Sequence, residues 1–75
     1  MTRMPRVTGK DILTALKQDG FKVVHIRGSH HYLRKGDSGK LVVVPVHGNS
    51  IIPLGTLKSI LHQADMTQDR FKKLL

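Results

Sequence analysis

The sequence contains no cysteine, no tryptophan and no glutamate, and its aromatic rings are limited to Tyr32, Phe21 and Phe71. Without cysteine neither a disulfide nor a thiolate metal site can form. A chain of 75 residues with no such staple suits a reducing cytoplasm, which is the expected location. So few rings leave the packing of the core to aliphatic side chains. The acids are Asp11, Asp19, Asp37, Asp65 and Asp69, and Asp37 is the only carboxylate between positions 20 and 64. Paired-carboxylate catalysis and a carboxylate-rich Mg²⁺ site therefore have almost nothing to be built from. The longest apolar run, residues 41–46, is interrupted by Pro45, and a membrane span needs roughly 20 apolar residues. No apolar stretch follows residues 1–6, so no secretory signal is expected. The length excludes a nucleotide-binding fold joined to a second substrate lobe, and one domain over residues 1–75 is expected.

Positive charge is abundant. Thirteen Lys and Arg against five acids give a formal net charge of +8, and five histidines add latent charge. An excess of this size points to a polyanionic partner, usually nucleic acid or an anionic membrane surface. If chemistry is carried out here, histidine is the residue type available for it.

Local signals divide the chain into six elements. Thr8 is placed to cap a helix, with Asp11 at the third helical position and Val7 and Ile12 as a hydrophobic staple. Ile12, Leu13 and Leu16 form its buried stripe, and Gly20 stops it. Phe21, Val23, Val24 and Ile26 read as a strand ended by Gly28 and Ser29, and a second strand is expected over 30–35. Residues 36–39 make a turn into a third strand over 41–44, completing an antiparallel meander. Residues 47–55 are irregular, after which Leu57, Ile60, Leu61 and Ala64 recur at helical spacing. Thr67 caps a last helix with Met66 and Phe71 as its staple and Leu74 and Leu75 on its apolar face. The fold expected is α+β, in the order α-β-β-β-α plus a terminal helix. Its helices cover one face of a three-stranded antiparallel sheet, and the other face is free to meet a ligand.

Alternation along the second strand separates His30, Tyr32 and Arg34 from His31, Leu33 and Lys35. With Leu33 in the core, the first set lies on the open face; placing Tyr32 in the core instead would reverse the two. An imidazole to move protons, a ring to stack on an unpaired base and a guanidinium to pair with phosphate make a sensible RNA surface. His25, His31 and His62 read as ordinary solvated or satisfied side chains, whereas His47, in the irregular loop, is a better candidate for contact. No metal is expected, since adjacent His30 and His31 cannot readily share an ion from a strand and no other pair has i, i+4 spacing. Residue patterns alone end at a small basic α+β module that binds RNA without catalysis.

Arg27-Gly28-Ser29-His30-His31, the valine-rich strand ending Val44-Pro45, and Leu54-Gly55-Thr56-Leu57-Lys58-Ser59-Ile60-Leu61 together resemble the HicA family of toxin ribonucleases. The likeness runs over about 7–75. It implies a double-stranded-RNA-binding-domain-like fold, mRNA cleavage and neutralisation by a HicB-like antitoxin; the scarcity of carboxylate and the lack of cysteine add the expectation of no cofactor. The catalytic histidine closing the Gly-Ser-His triplet corresponds to His30. RNA supplies its own nucleophile, the 2′-hydroxyl, so His30 would serve as general acid or base. Arg27, Arg34, Lys35 and nearby backbone amides would stabilise developing charge, and Gly28, Ser29, Tyr32 and His47 would complete the RNA contacts. No pattern identifies the helper for the leaving 5′-oxygen; His47 is a guess.

Overall fold

A computed structural model describes residues 4–37 and 39–75; residues 1–3, part of the segment read above for a signal, and Ser38, within the expected turn, lie outside the described residues. The first helix, α1 (Gly9–Gln18), begins where the capping signals put it. The Thr8 N–H donates to Asp11 Oδ2 at 2.9 Å and the Asp11 N–H donates to Thr8 Oγ1 at 3.2 Å, a reciprocal box that satisfies two otherwise unpaired donors. Ile12, Leu13, Ala15 and Leu16 form its buried side.

The three strands, β1 (Phe21–Arg27), β2 (His30–Lys35) and β3 (Val42–Pro45), pair antiparallel in the order β1-β2-β3. Strand β3 starts one residue later than expected: Leu41 is exposed outside it, and Pro45 closes it opposite His30. Proline is accepted there because β3 is an edge strand, where a missing N–H leaves no ladder bond broken. Helix α2 (Leu54–Gln63) takes in Leu54 and Gly55, which the breaker pattern had left in the loop. Helix α3 (Gln68–Leu74) is capped by the Thr67 hydroxyl accepting from the Arg70 N–H at 3.1 Å. Leu75 does not join its apolar face and is exposed, so only Leu74 packs there.

A single apolar cluster unites these elements. Ile12 and Leu16 of α1, Leu33, Val42 and Val44 of the sheet, Leu57 and Ile60 of α2 and Phe71 of α3 are fully buried in it. Each such side chain contributes about 1.5–3 kcal/mol relative to leaving it in water. Since every buried strand residue belongs to the same side of the sheet, the helices cover one face, as expected for the α-β-β-β-α arrangement.

Asp19, at the C-terminus of α1, ties that layer together at the surface. Its carboxylate meets Arg70 of α3 at 3.0 Å and Lys35 of β2 at 3.3 Å. Partial burial pushes the Asp19 carboxyl up, but hydrogen bonds and charge from Arg70 and Lys35 outweigh it and hold the group below its ordinary value.

One irregularity determines what reaches the open face. Val23 pairs with Leu33 but Tyr32 pairs with His25, so Val24 is an extra residue in β1, a β-bulge. Strict alternation from buried Phe21 would carry Val23, His25 and Arg27 to the helix side. The bulge reverses the sides of the last two, placing His25 beside Tyr32 and Arg27 beside His30.

Candidate functional site

Three rows of side chains cross the open face. Arg27, His30 and Pro45 form the first, His25, Tyr32 and Val43 the second, and Lys22 and Arg34 the third. Directly opposed residues keep their Cβ atoms about 4.5–5.5 Å apart, so each row is a continuous patch. The rings of His25 and Tyr32 lie 5.5 Å apart between centroids and are inclined at 48°. His25, Arg27 and His30 are exposed, while Tyr32 and Arg34 are half-buried. The Nε of Arg34 is covered and has no partner among the described residues, which leaves recognition to its terminal nitrogens.

The β1–β2 loop and the β3 exit meet beside the first row. Gly28 has φ +59° and nothing within 4 Å of where a Cβ would stand, so glycine serves the backbone of this turn rather than clearing space. The Val46 N–H donates to the Ser29 carbonyl at 2.7 Å, extending the β2–β3 pairing one step beyond the named strands. Val42, Val44 and Val46 all pack towards the core, and Pro45, paired with His30, takes the open side. Past the end of β3, His47 Nε2 lies 3.4 Å from Ser29 Oγ. The loop is pinned again further on, by a turn bond from the Ser50 N–H to the His47 carbonyl at 3.0 Å. A bond from the Ile52 N–H to the Val7 carbonyl at 2.8 Å completes the anchoring.

Of the residues expected to contact RNA, the structure gathers Arg27, Gly28, Ser29, His30, Tyr32, Arg34 and His47 on or beside this face. It does not bring Lys35 there. Lys35 pairs with Phe21 and shares the helix side, with Nζ 3.3 Å from Asp19 and 5.9 Å from the centre of the Phe21 ring. His31 lies between Ile26 and Val44, half-buried on the covered side, and its Nδ1 is enclosed without a partner among the described residues. Sequence reasoning left Lys22 and His25 out of the group; alternation from buried Phe21 could have found Lys22, but not His25. Its signal, a run of two valines before a histidine in a strand otherwise fit to alternate, is too weak to reveal a bulge without the pairing partner.

The electrostatics of the face are one-signed. None of the five aspartates belongs to a strand: Asp11, Asp19, Asp65 and Asp69 stand in or beside the helices and Asp37 in the turn after β2. Among the described residues no three His, Cys, Asp or Glu side chains gather as a metal cluster, and no helix is long and apolar enough to cross a membrane. Two clefts among the described residues, of about 290 and 220 Å³, lie away from this face. One sits between Met4 and the start of α2, the other beside Asp19 and Phe21. A flat, cationic surface bearing imidazoles and a ring suits an extended polyanion better than a small molecule enclosed on all sides.

Comparison with known families matches the chain, over residues 9–66, to the family described as the HicA toxin of bacterial toxin–antitoxin systems. No individually curated protein matches the chain closely. The family match runs from the first residue of α1 to just beyond α2 and takes in all three strands and the loop carrying His47. Covering well over half of the chain and every part of the open face, it shows that the protein belongs to the HicA family, the toxins of bacterial toxin–antitoxin systems.

Proposed function

We propose that this toxin is an endoribonuclease of one HicA-like domain that cleaves mRNA in the cytoplasm without a metal ion, using His30 to move protons. The observation that carries the reading is the first row of the open face. An exposed imidazole stands beside an exposed guanidinium there, with no carboxylate on any strand. Cleavage of RNA by its own 2′-hydroxyl requires a proton acceptor near that oxygen and positive charge near the phosphate. His30 and Arg27 are residue types suited to those two tasks. Tyr32 and His25 offer rings to an unpaired base in the next row, and Lys22 and Arg34 offer charge to the phosphate beyond it. Acting on single-stranded RNA needs no deep pocket, because the substrate lies across the sheet.

The same surface explains the need for a partner. A protein of charge +8 that cuts RNA must be held in check, and an acidic HicB-like antitoxin would be steered rapidly to the open face by opposite charge. Bound there, it would cover His30.

The test is cleavage of RNA by purified protein in excess EDTA, comparing wild type with His30→Ala and His31→Ala. Loss of His30 removes a proton-transfer group, for which about 10²–10⁴-fold in rate is expected, while thermal melts and RNA gel shifts stay near wild type. His31→Ala should retain cleavage and lose roughly 1 kcal/mol of stability, since its half-buried ring packs on the covered side. Wild-type cleavage by the His30 variant, or activity that vanishes with EDTA and returns with Mg²⁺, overturns the reading. Tight binding with no cleavage by wild type leaves a non-catalytic RNA-binding module instead.

A further inference from the structure

We infer that His47 is the general acid of the reaction, delivering a proton to the leaving 5′-oxygen while His30 takes the proton of the attacking 2′-hydroxyl; this rests on the endoribonuclease reading above. His30 is paired with Pro45, and His47 lies two residues beyond Pro45, where its ring meets the hydroxyl of Ser29, the residue next to His30. Residues in that diagonal relation are about 7–8 Å apart between backbones, within reach of ring side chains. A phosphate between two imidazoles, each about 3 Å from the oxygen it serves, fills a gap of this size. The in-line geometry of the reaction asks for that placement, because the attacking and leaving oxygens sit on opposite sides of phosphorus.

The loop around His47 is built to hold the ring in place. The Val46–Ser29 bond fixes the backbone immediately before it, and the Ile52–Val7 bond fixes the loop where it returns to the N-terminal segment. The Ser29 hydroxyl, 3.4 Å from Nε2, holds one edge of the imidazole. An imidazolium donates from both nitrogens, and a hydroxyl can accept from one of them. With Nε2–H directed to Ser29, Nδ1–H is the donor free to meet RNA.

The proton and electron accounting closes with these two residues. As O2′ bonds to phosphorus its proton passes to His30. The P–O5′ bond breaks with its electron pair remaining on O5′, and the Nδ1 proton of His47 goes to that oxygen. The products are a 2′,3′-cyclic phosphate and a 5′-hydroxyl end. Solvent then returns both rings to their starting protonation states.

The experiment compares an ordinary RNA oligonucleotide with one whose scissile 5′-oxygen is replaced by bridging sulfur. A thiolate leaves without being protonated, since its conjugate acid has a pKa near 8.5, so a missing general acid no longer matters. His47→Ala and His47→Gln should cut the oxygen substrate about 10²–10⁴-fold more slowly than wild type and the sulfur substrate within a few-fold of it. His30→Ala should be slow on both. If the His47 variants are equally slow on both substrates, or as fast as wild type on both, the assignment is overturned. Wild-type protein that cuts neither substrate overturns the endoribonuclease reading itself, and the assignment of His47 with it.

Discussion

Replacing Asp19 by Asn tests whether the surface latch between α1, β2 and α3 is electrostatic. The side chain of Asp19 is 15% exposed, whereas Lys35 and Arg70 are 55% and 53% exposed. Pairs whose cationic ends stand in water contribute about 0.2–1 kcal/mol each. Asn keeps the shape and one acceptor oxygen but loses the charge. The expected loss near neutral pH is therefore about 1 kcal/mol, which in a domain of this size lowers Tm by roughly 4–8 °C. Because the net effect of Arg70 and Lys35 is to hold the folded carboxyl below its ordinary value, folding favours its charged form. The stabilisation is complete above the unfolded value of about 3.9 and disappears as pH falls through the lower, folded value. Thermal melts of wild type and Asp19→Asn at pH 7 should differ, and the two curves should converge in acid below that window. The gap should also shrink at about 1 M salt, where the screening length is about 3 Å. A gap of equal size at pH 7 and at strongly acid pH would mean that shape or capping, not charge, holds these elements together.

Two further outcomes follow from the arrangement of the sheet. Neutralising Arg27 and Arg34 together should reduce the slope of log K against log salt for single-stranded RNA by about 1.4, at roughly 0.7 per lost phosphate contact; Lys35→Ala, whose ammonium is held by Asp19 on the helix side, should leave the slope unchanged. Deleting Val24 should be tolerated, because His25 already pairs with Tyr32 and the deletion only regularises the ladder. RNA gel shifts should then show affinity within a few-fold of wild type, and a large loss would mean that the added twist of the bulge is itself required.

The parts of the fold that depend on neighbours in sequence were readable from it. The Thr8–Asp11 box, the Thr67 cap and the stripes of α1 and α2 are local signals, and the structure contains each of them. The sides of β2 were readable as a choice between Leu33 and Tyr32 for the core, and the structure buries Leu33. What escaped depends on pairing across the sheet. The bulge at Val24 exists only relative to β2, so the sides of His25 and Arg27 could not be counted from Phe21. Likewise the start of β3 is set by Val42 meeting Leu33, leaving Leu41 outside although its own propensity favours a strand. Lys35 shows a third kind of failure. Alternation had put it on the side of Leu33, yet its charge suggested phosphate; the structure gives that charge to Asp19, at the end of a helix far away in sequence.

Gly9 gives this architecture a consequence for the order in which the protein comes into being. It is buried in the first turn of α1, against the backbone where β3 ends. A Cβ there would collide with the Pro45 carbonyl oxygen and come within 2.9 Å of Val46 Cα. The beginning of the chain thus forms the wall on which the segment leading to His47 comes to rest, and Val7 clasps Ile52 just beyond it. During synthesis α1 emerges long before that segment does, and neither has its final surroundings until both are present. A growing chain can form helix and hairpin early, but the segment leading to His47 is seated only when the earlier residues around Gly9 have received it. In a toxin made on the ribosome, that corner of the fold closes late, well after α1 has emerged.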